Sequence, residues 1–333
     1  MTLTVGHRSE GQMQSISLSM AGRPLSLQTD SSRLGEIASS FFQYGSMNSM
    51  HRSRANVSLL VRKRRESSQA RCSFPIFRGR REYVHADYGR DGSVWFDLKA
   101  REVSGFVSHE LVADAEFFRR AVLAVIAGVL APSMHAVCLH AGCVVRDGKA
   151  VLLAAPSGVG KSTLTLSLAM RGWNLLSDEW TFASGTSAGL CAWGMRTSLK
   201  LLPDAVRYFP ELSAHSPAVA LNGEMSFEVD PWSVFHVGRA IDAEPKAIIL
   251  LERDSRASLG SRCRVKRCGP NETRAALLRE IEEQPAEAIG QDEWQSSLIE
   301  ILCAAPSLKA RFSGHPAAIA AELDPILTEL VCV

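Results

Sequence analysis

The chain has 333 residues, 46% of them hydrophobic, and carries a net charge of +2 at pH 7. That length supplies a core without disulfide or metal staples and leaves room for one large domain or two ordinary ones. The near-neutral charge argues against a general nucleic-acid binder, and no stretch approaches the roughly 18 uncharged apolar residues of a membrane-spanning helix.

The opening MTLTVGHRSEGQMQS lacks the basic-then-apolar layout of a secretory signal. The eight cysteines form no CxxC pair and lie mostly among apolar neighbours, so reduced buried thiols and a cytoplasmic location are expected. Residues 15–110 alternate in short runs such as SISLSMAG, NVSLLVRK and SVWFDLKA, which read as strands of a small α/β or β-rich module. Within it Arg52, Arg54, Arg62, Lys63, Arg64, Arg65, Arg71, Arg78, Arg80 and Arg81 crowd together with Glu66 almost alone against them. This stretch is a candidate for holding an acceptor or partner. A helix is predicted over 114–130, capped by Asp114, with Phe117, Phe118, Val122, Val125, Ile126 and Val129 on its apolar face and Pro132 beyond its end.

From His135 the texture changes. AVCLHAGCVV and KAVLLAA are apolar runs joined by the turn signal Asp147-Gly148, and read as fully buried strands. KSTLTLSLAMRG has helical spacing, with Leu164, Leu168 and Gly172 on one packed face. NLLSDE and KAIILLERD are further short buried strands, and helices are predicted over 272–283, 292–303 and 316–330. The main boundary falls near residues 110–132, separating 1–131 from 132–333.

Between the second buried strand and the helix stands AAPSGVGKST. Strand, glycine-rich loop and helix in that order form the context of a nucleotide-binding loop. Glycines at 158 and 160 let backbone N–H groups turn on an oxyanion, and the helix start adds partial positive charge. Pro156, Ser157, Gly158 and Val159, with Gly160, Lys161, Ser162 and Thr163, would thus form a phosphate cradle. Lys161 would bridge the β- and γ-phosphates of ATP while Ser162 ligates Mg2+. Ala155 stands where GxxxxGK[ST] has its first glycine, a position that starts the turn without touching phosphate. Asp178 and Glu179 close the strand NLLSDE, and two carboxylates there can divide the work, one ordering magnesium (Asp178 is the candidate ligand) and one taking a proton from an attacking hydroxyl. His140 lies in the strand before the loop strand.

Residues 139–179, from LHAGCVV through the loop to RGWNLLSDE, resemble the catalytic core of the HPr kinase/phosphorylase superfamily. The likeness is closest to the HPr-kinase-related proteins associated with peptide modification. Weaker similarity runs on through MRTSLKLLPDAVRYFPEL, where Arg196 and Lys200 are candidates to touch phosphate or peptide, and through KAIILLERD. The resemblance implies an α/β P-loop kinase core of the HPr kinase/phosphoenolpyruvate carboxykinase type, with an N-terminal recognition module and C-terminal helices. It implies ATP- and magnesium-dependent transfer of the γ-phosphate to a serine of a peptide or small protein, a ribosomally made precursor being the leading acceptor. It also implies His140 as support for the acid/base carboxylate, with either Asp178 or Glu179 as the base, and homo-oligomers are frequent among relatives of the fold. Two departures, a missing glutamate in GMRTSLK and no Pro-Gly-Arg-Asn segment, imply a kinase without phosphorylase activity. A non-catalytic ATP-binding regulatory module and a peptide-maturation ATPase are the alternatives.

Overall fold

The computed structural model describes residues 12–44, 54–64, 74–186, 189–220, 223–254, 262–282 and 293–332. It is a mixed α/β structure dividing into two compact units, Met1–Met134 and His135–Val333.

The first unit is built on an eight-stranded sheet. Its strands are β1 (Gln14–Met20), β2 (Arg23–Thr29), β3 (Gln43–Tyr44), β4 (Ala55–Arg62), β5 (Ile76–Arg80), β6 (Tyr83–Asp87), β7 (Gly92–Asp97) and β8 (Glu102–Ser108). They run in the order β3-β1-β2-β4-β8-β7-β6-β5, with β2, β4 and β8 mutually parallel. Helix α1 (Ser32–Phe41) follows β2 and buries Leu34, Ile37 and Phe41. After β8 come α2 (His109–Ala113) and α3 (Ala115–Phe118), the latter running through a π turn at Arg119–Leu123 into α4 (Ala124–Leu130). Asp114 caps this helix by accepting from the Phe117 N–H at 3.1 Å, and Phe118, Val122, Val125, Ile126 and Val129 are buried as the periodicity predicts. The π turn has no counterpart in the sequence reading.

Several of the crowded arginines are tied down within this unit. Arg62 pairs with Asp30, Arg64 with Asp91 at 2.7 Å, and Arg78 with Asp87 at 3.1 Å. Arg52, Arg65, Glu66, Arg71 and Cys72 lie outside the described residues. The Asp91 carboxylate is buried and also accepts from the Ser108 hydroxyl at 2.8 Å. Removing Arg64 therefore strands a buried charge. Arg64→Ala should lower the unfolding free energy of this unit by about 2–4 kcal/mol in urea titration, whereas Arg81→Ala, at an exposed turn, should leave it unchanged.

The second unit opens with β9 (Ala136–Arg146) and β10 (Lys149–Ala154), joined at Asp147 and Gly148. Both turn residues have positive φ (51° and 73°), as a two-residue hairpin with the strands' own twist requires. Then follow α5 (Lys161–Ala169), β11 (Asn174–Ser177), β12 (Trp180–Thr186), β13 (Gly189–Gly194), β14 (Leu199–Leu201), β15 (Ala218–Val219) and β16 (Met225–Val229). The chain continues through α6 (Pro231–Val234), β17 (Asp242–Arg253), β18 (Arg262–Arg267), α7 (Pro270–Glu282), α8 (Glu293–Cys303), β19 (Ser307–Ser313) and α9 (Pro316–Cys332). The main sheet runs β10-β9-β12-β13-β17-β19-β18, with β11 on β9 and β10 pairing in parallel with β17.

Both faces of β10 and β17 are covered, which is why they read as continuous apolar runs. Leu152, Ile248 and Leu250 share one core with Leu277 and Ile281 of α7 and with Leu298, Ile299 and Leu302 of α8. Val151, Leu153 and Ile249 share the other with Leu164 and Leu168 of α5 and with Ile319, Leu323 and Leu327 of α9. Helix α5 has a single expected packed face, yet it is buried nearly all round. The three-stranded sheet β14-β16-β15 supplies the difference, because Leu166 packs with Leu199, Leu201, Phe209 and Phe227. The last third is also not purely helical. Strands β18 and β19 extend the sheet beyond β17, so the C-terminal region is part of the core layer. The predicted helix ends at Glu283 and Asp292 lie outside the described residues. The seven described cysteines are free thiols; Cys138, Cys143 and Cys303 are buried, and Cys332 is exposed.

Candidate functional site

The parallel strands β10, β17 and β19 all end on one side of the sheet, at Ala154, Arg253 and Ser313. Carboxyl ends of parallel strands are where α/β sheets place their ligands. Here they border a cleft of about 550 Å³, a volume within the range of small-molecule sites.

The loop after β10 forms its floor. Ala155 is buried in the α5/α9 core and keeps a negative φ, so the side chain in place of the first glycine fills core space and demands no special backbone. Gly158 and Gly160 do require left-handed backbone, with φ of 79° and 106°. Gly160 is the N-cap of α5, which aims that helix's free N–H groups into the cleft. Pro156, Ser157, Gly158, Gly160, Lys161, Ser162 and Thr163 line the cleft, while Val159 packs towards the core behind it.

Strand register brings the other chemistry to this floor. His140 in β9 sits one residue from Ala141, the partner of Ala154 at the end of the loop strand. Its partner across the sheet is Trp180, so Asp178 and Glu179, between β11 and β12, lie beside the same strand end. The close approach depends on Gly142, where a Cβ would come within 2.4 Å of Thr165 Oγ1 on α5. His140, Lys161, Ser162, Asp178, Glu179 and Lys200 therefore all line one cleft. Arg196 does not. It is paired with Asp230 at 2.6 Å and lies over the Trp232 ring.

Lys161 is 7% exposed and donates from Nζ to the His140 carbonyl at 2.8 Å. Asp178 is 6% exposed, and its Oδ1 is buried without a hydrogen-bond partner. Burial pushes the Asp178 carboxyl up to about 7, aided by the negative charge of Glu179; Lys161, a hydrogen bond with Ser162, and His140 pull the other way. A buried acid with an unanswered oxygen beside a lysine, a hydroxyl and a second carboxylate suits a hard divalent cation. Among the described residues no cluster of three or more His, Cys, Asp or Glu forms a complete metal cage.

The raised Asp178 value has a sign that can be tested. Because the folded carboxyl holds its proton to higher pH than the model value of 3.8, the native state binds the extra proton between about pH 4 and 7. Its contribution to stability is thus full at low pH and is lost as pH rises through 7. For the unliganded protein, Asp178→Asn should remove this fall between about pH 4 and 7, seen as a flatter dependence of the thermal midpoint on pH, while Glu211→Gln at an exposed turn should not.

Sequence reading passed over the far wall of the cleft. Leu202, Tyr208, Arg253, Phe312, Gly314 and Pro316 belong to it. Arg253 was legible only as a member of the buried strand KAIILLERD, whereas β19, which carries the wall to Gly314, has too mixed a pattern (SLKARFS) to stand out.

No family model matches this chain, and no curated protein matches it. Among solved structures it is similar to the HPr(Ser) kinase/phosphatase from Coxiella burnetii, at 16% identity, covering 58% of this chain and 97% of that one, with a TM-score of 0.30. That score is too low to transfer fold or activity. Among the described residues no helix is long and apolar enough to cross a membrane.

Proposed function

We propose that the second unit is an ATP-dependent kinase that transfers the γ-phosphate to a hydroxyl, with a serine of a peptide or small protein as the acceptor. The observation that carries this reading is the buried Asp178 beside Lys161 and Ser162 at the floor of the cleft. A carboxylate in that position can take the proton of an attacking hydroxyl.

The loop N–H groups and Lys161 hold the phosphates, and with Asp178 kept as the base, Ser162 and Glu179 would hold magnesium, which when bound neutralises charge on the phosphate oxygens. The acceptor oxygen forms its bond to the γ-phosphorus as the bond from that phosphorus to the β–γ bridging oxygen breaks. ADP leaves, and the hydroxyl proton passes to the Asp178 carboxylate. Glu179, half-buried beside it, keeps that carboxyl basic, and His140 supports it from β9. Lys200, held by Glu224 at 2.8 Å on the cleft wall, faces the incoming acceptor. The first unit is the proposed recognition module, and exposed basic residues such as Arg80 and Arg81, which form no ion pair among the described residues, are better acceptor contacts than Arg64. The kinase has no phosphorylase activity in this reading.

The test is intact mass spectrometry of serine-containing candidate peptides after incubation with ATP and magnesium. The native chain should add one phosphate to an acceptor, and phosphate-dependent removal of that group by the same chain would overturn the absence of phosphorylase activity.

A further inference from the structure

Arg253 lines the cleft without touching either carboxylate of the acidic pair among the described contacts. It is the last residue of β17, three positions beyond Leu250, the parallel partner of Ala154 where the loop begins. The strand therefore runs alongside the loop. Arg253 Nη1 stands 3.6 Å from where a Cβ on Gly160 would be, at the N-terminus of α5.

Its neighbours point elsewhere and are occupied. Glu252 pairs with Lys309 at 3.2 Å and Arg311 at 3.6 Å, and Asp254 pairs with Arg311 at 3.5 Å. Strand alternation sends Arg253 to the opposite face. Its backbone is fixed by pairing with Phe312 and by the Asp254 N–H donating to the Phe312 carbonyl at 2.7 Å. Of the other cations of the cleft, Lys200 is committed to Glu224 and Arg207 to Asp204 at 2.9 Å, and Lys161 donates to the His140 carbonyl. Arg253 makes no ion pair with a carboxylate among the described residues, and its side chain is exposed to the cleft.

We infer that Arg253 is a second phosphate-holding cation, gripping the polyphosphate chain of the nucleotide from the Gly160 side of the loop while Lys161 holds it from the His140 side. The inference rests on the nucleotide-binding reading above. A guanidinium suits this place because its planar fork can donate two parallel N–H groups to phosphate oxygens, which an ammonium cannot. Glycine at 160 leaves the approach open on the loop side.

Isothermal titration with magnesium-ATP, and separately with inorganic tripolyphosphate, tests it on the full chain. Arg253→Ala should weaken both ligands by about tenfold or more, and Arg253→Lys, which keeps charge but loses the fork, should fall between. The thermal midpoint of the unliganded Arg253→Ala protein should match the native one, since the side chain supports no described contact. ATP affinity within about twofold of native, or a lowered unliganded midpoint accounting for the loss, would overturn the inference while leaving nucleotide binding intact. A native chain that binds neither ligand would overturn the nucleotide-binding reading itself, and the inference with it.

Discussion

Lys161→Ala is expected to weaken ATP binding by about 10- to 100-fold and to lower phosphate transfer by more than about a thousandfold. The ammonium is nearly buried, is fixed by the His140 carbonyl at 2.8 Å, and starts the helix whose N-terminus faces the phosphates. It also offsets the buried charge of Asp178. Without it the Asp178 carboxyl takes up a proton more readily, so the variant should stay folded near neutral pH while losing its base as well as its phosphate contact. Thermal unfolding without ligand separates this from misfolding: a native-like midpoint with lost ATP binding is the expected pattern.

Asp178→Asn is expected to separate binding from chemistry. The amide keeps the shape and a hydrogen-bonding capacity towards Ser162, so ATP affinity should stay within about tenfold of native. Transfer to the acceptor should fall by about 10²- to 10⁴-fold, the usual weight of a positioned base. Above pH 7 the unliganded variant should be more stable than the native chain, because it no longer buries an ionised carboxylate. Glu179→Gln gives the contrast. Removing the like charge should ease ionisation of Asp178 and move the pH profile of transfer to lower pH. A 10²- to 10⁴-fold loss of transfer in Glu179→Gln, with Asp178→Asn retaining it, would assign the proton-accepting role to Glu179.

The floor of this site was legible because its signals are local. Strand, glycine loop and helix are contiguous, and Asp147-Gly148 announces the hairpin that sets β9 against the loop strand. His140 and the acidic pair fall into place once β9 is known to pair with both β10 and β12, which apolar runs suggest but do not specify. The far wall was not legible in the same way. It depends on β19 crossing back to pair with β17, a contact between residues about 60 apart whose strand carries positive charges at alternate positions, Lys309 and Arg311. The all-round burial of α5 was hidden for a similar reason, since Leu166 has meaning only when the small β14-β16-β15 sheet is seen to cover it. Arg196 and Arg64 show the converse. Charge clusters in a sequence do not reveal which members already have a carboxylate.

A kinase places the γ-phosphate on a hydroxyl and not on water. The most direct measurement supplies ATP labelled at the γ-phosphate to the native chain and to Asp178→Asn, with candidate serine peptides, and follows where the label goes. Label is expected on an acceptor serine with the native chain, with little free inorganic phosphate, and in neither product with Asp178→Asn. Label released as inorganic phosphate at the same rate with or without peptide, and still released by Asp178→Asn, would contradict transfer to a hydroxyl.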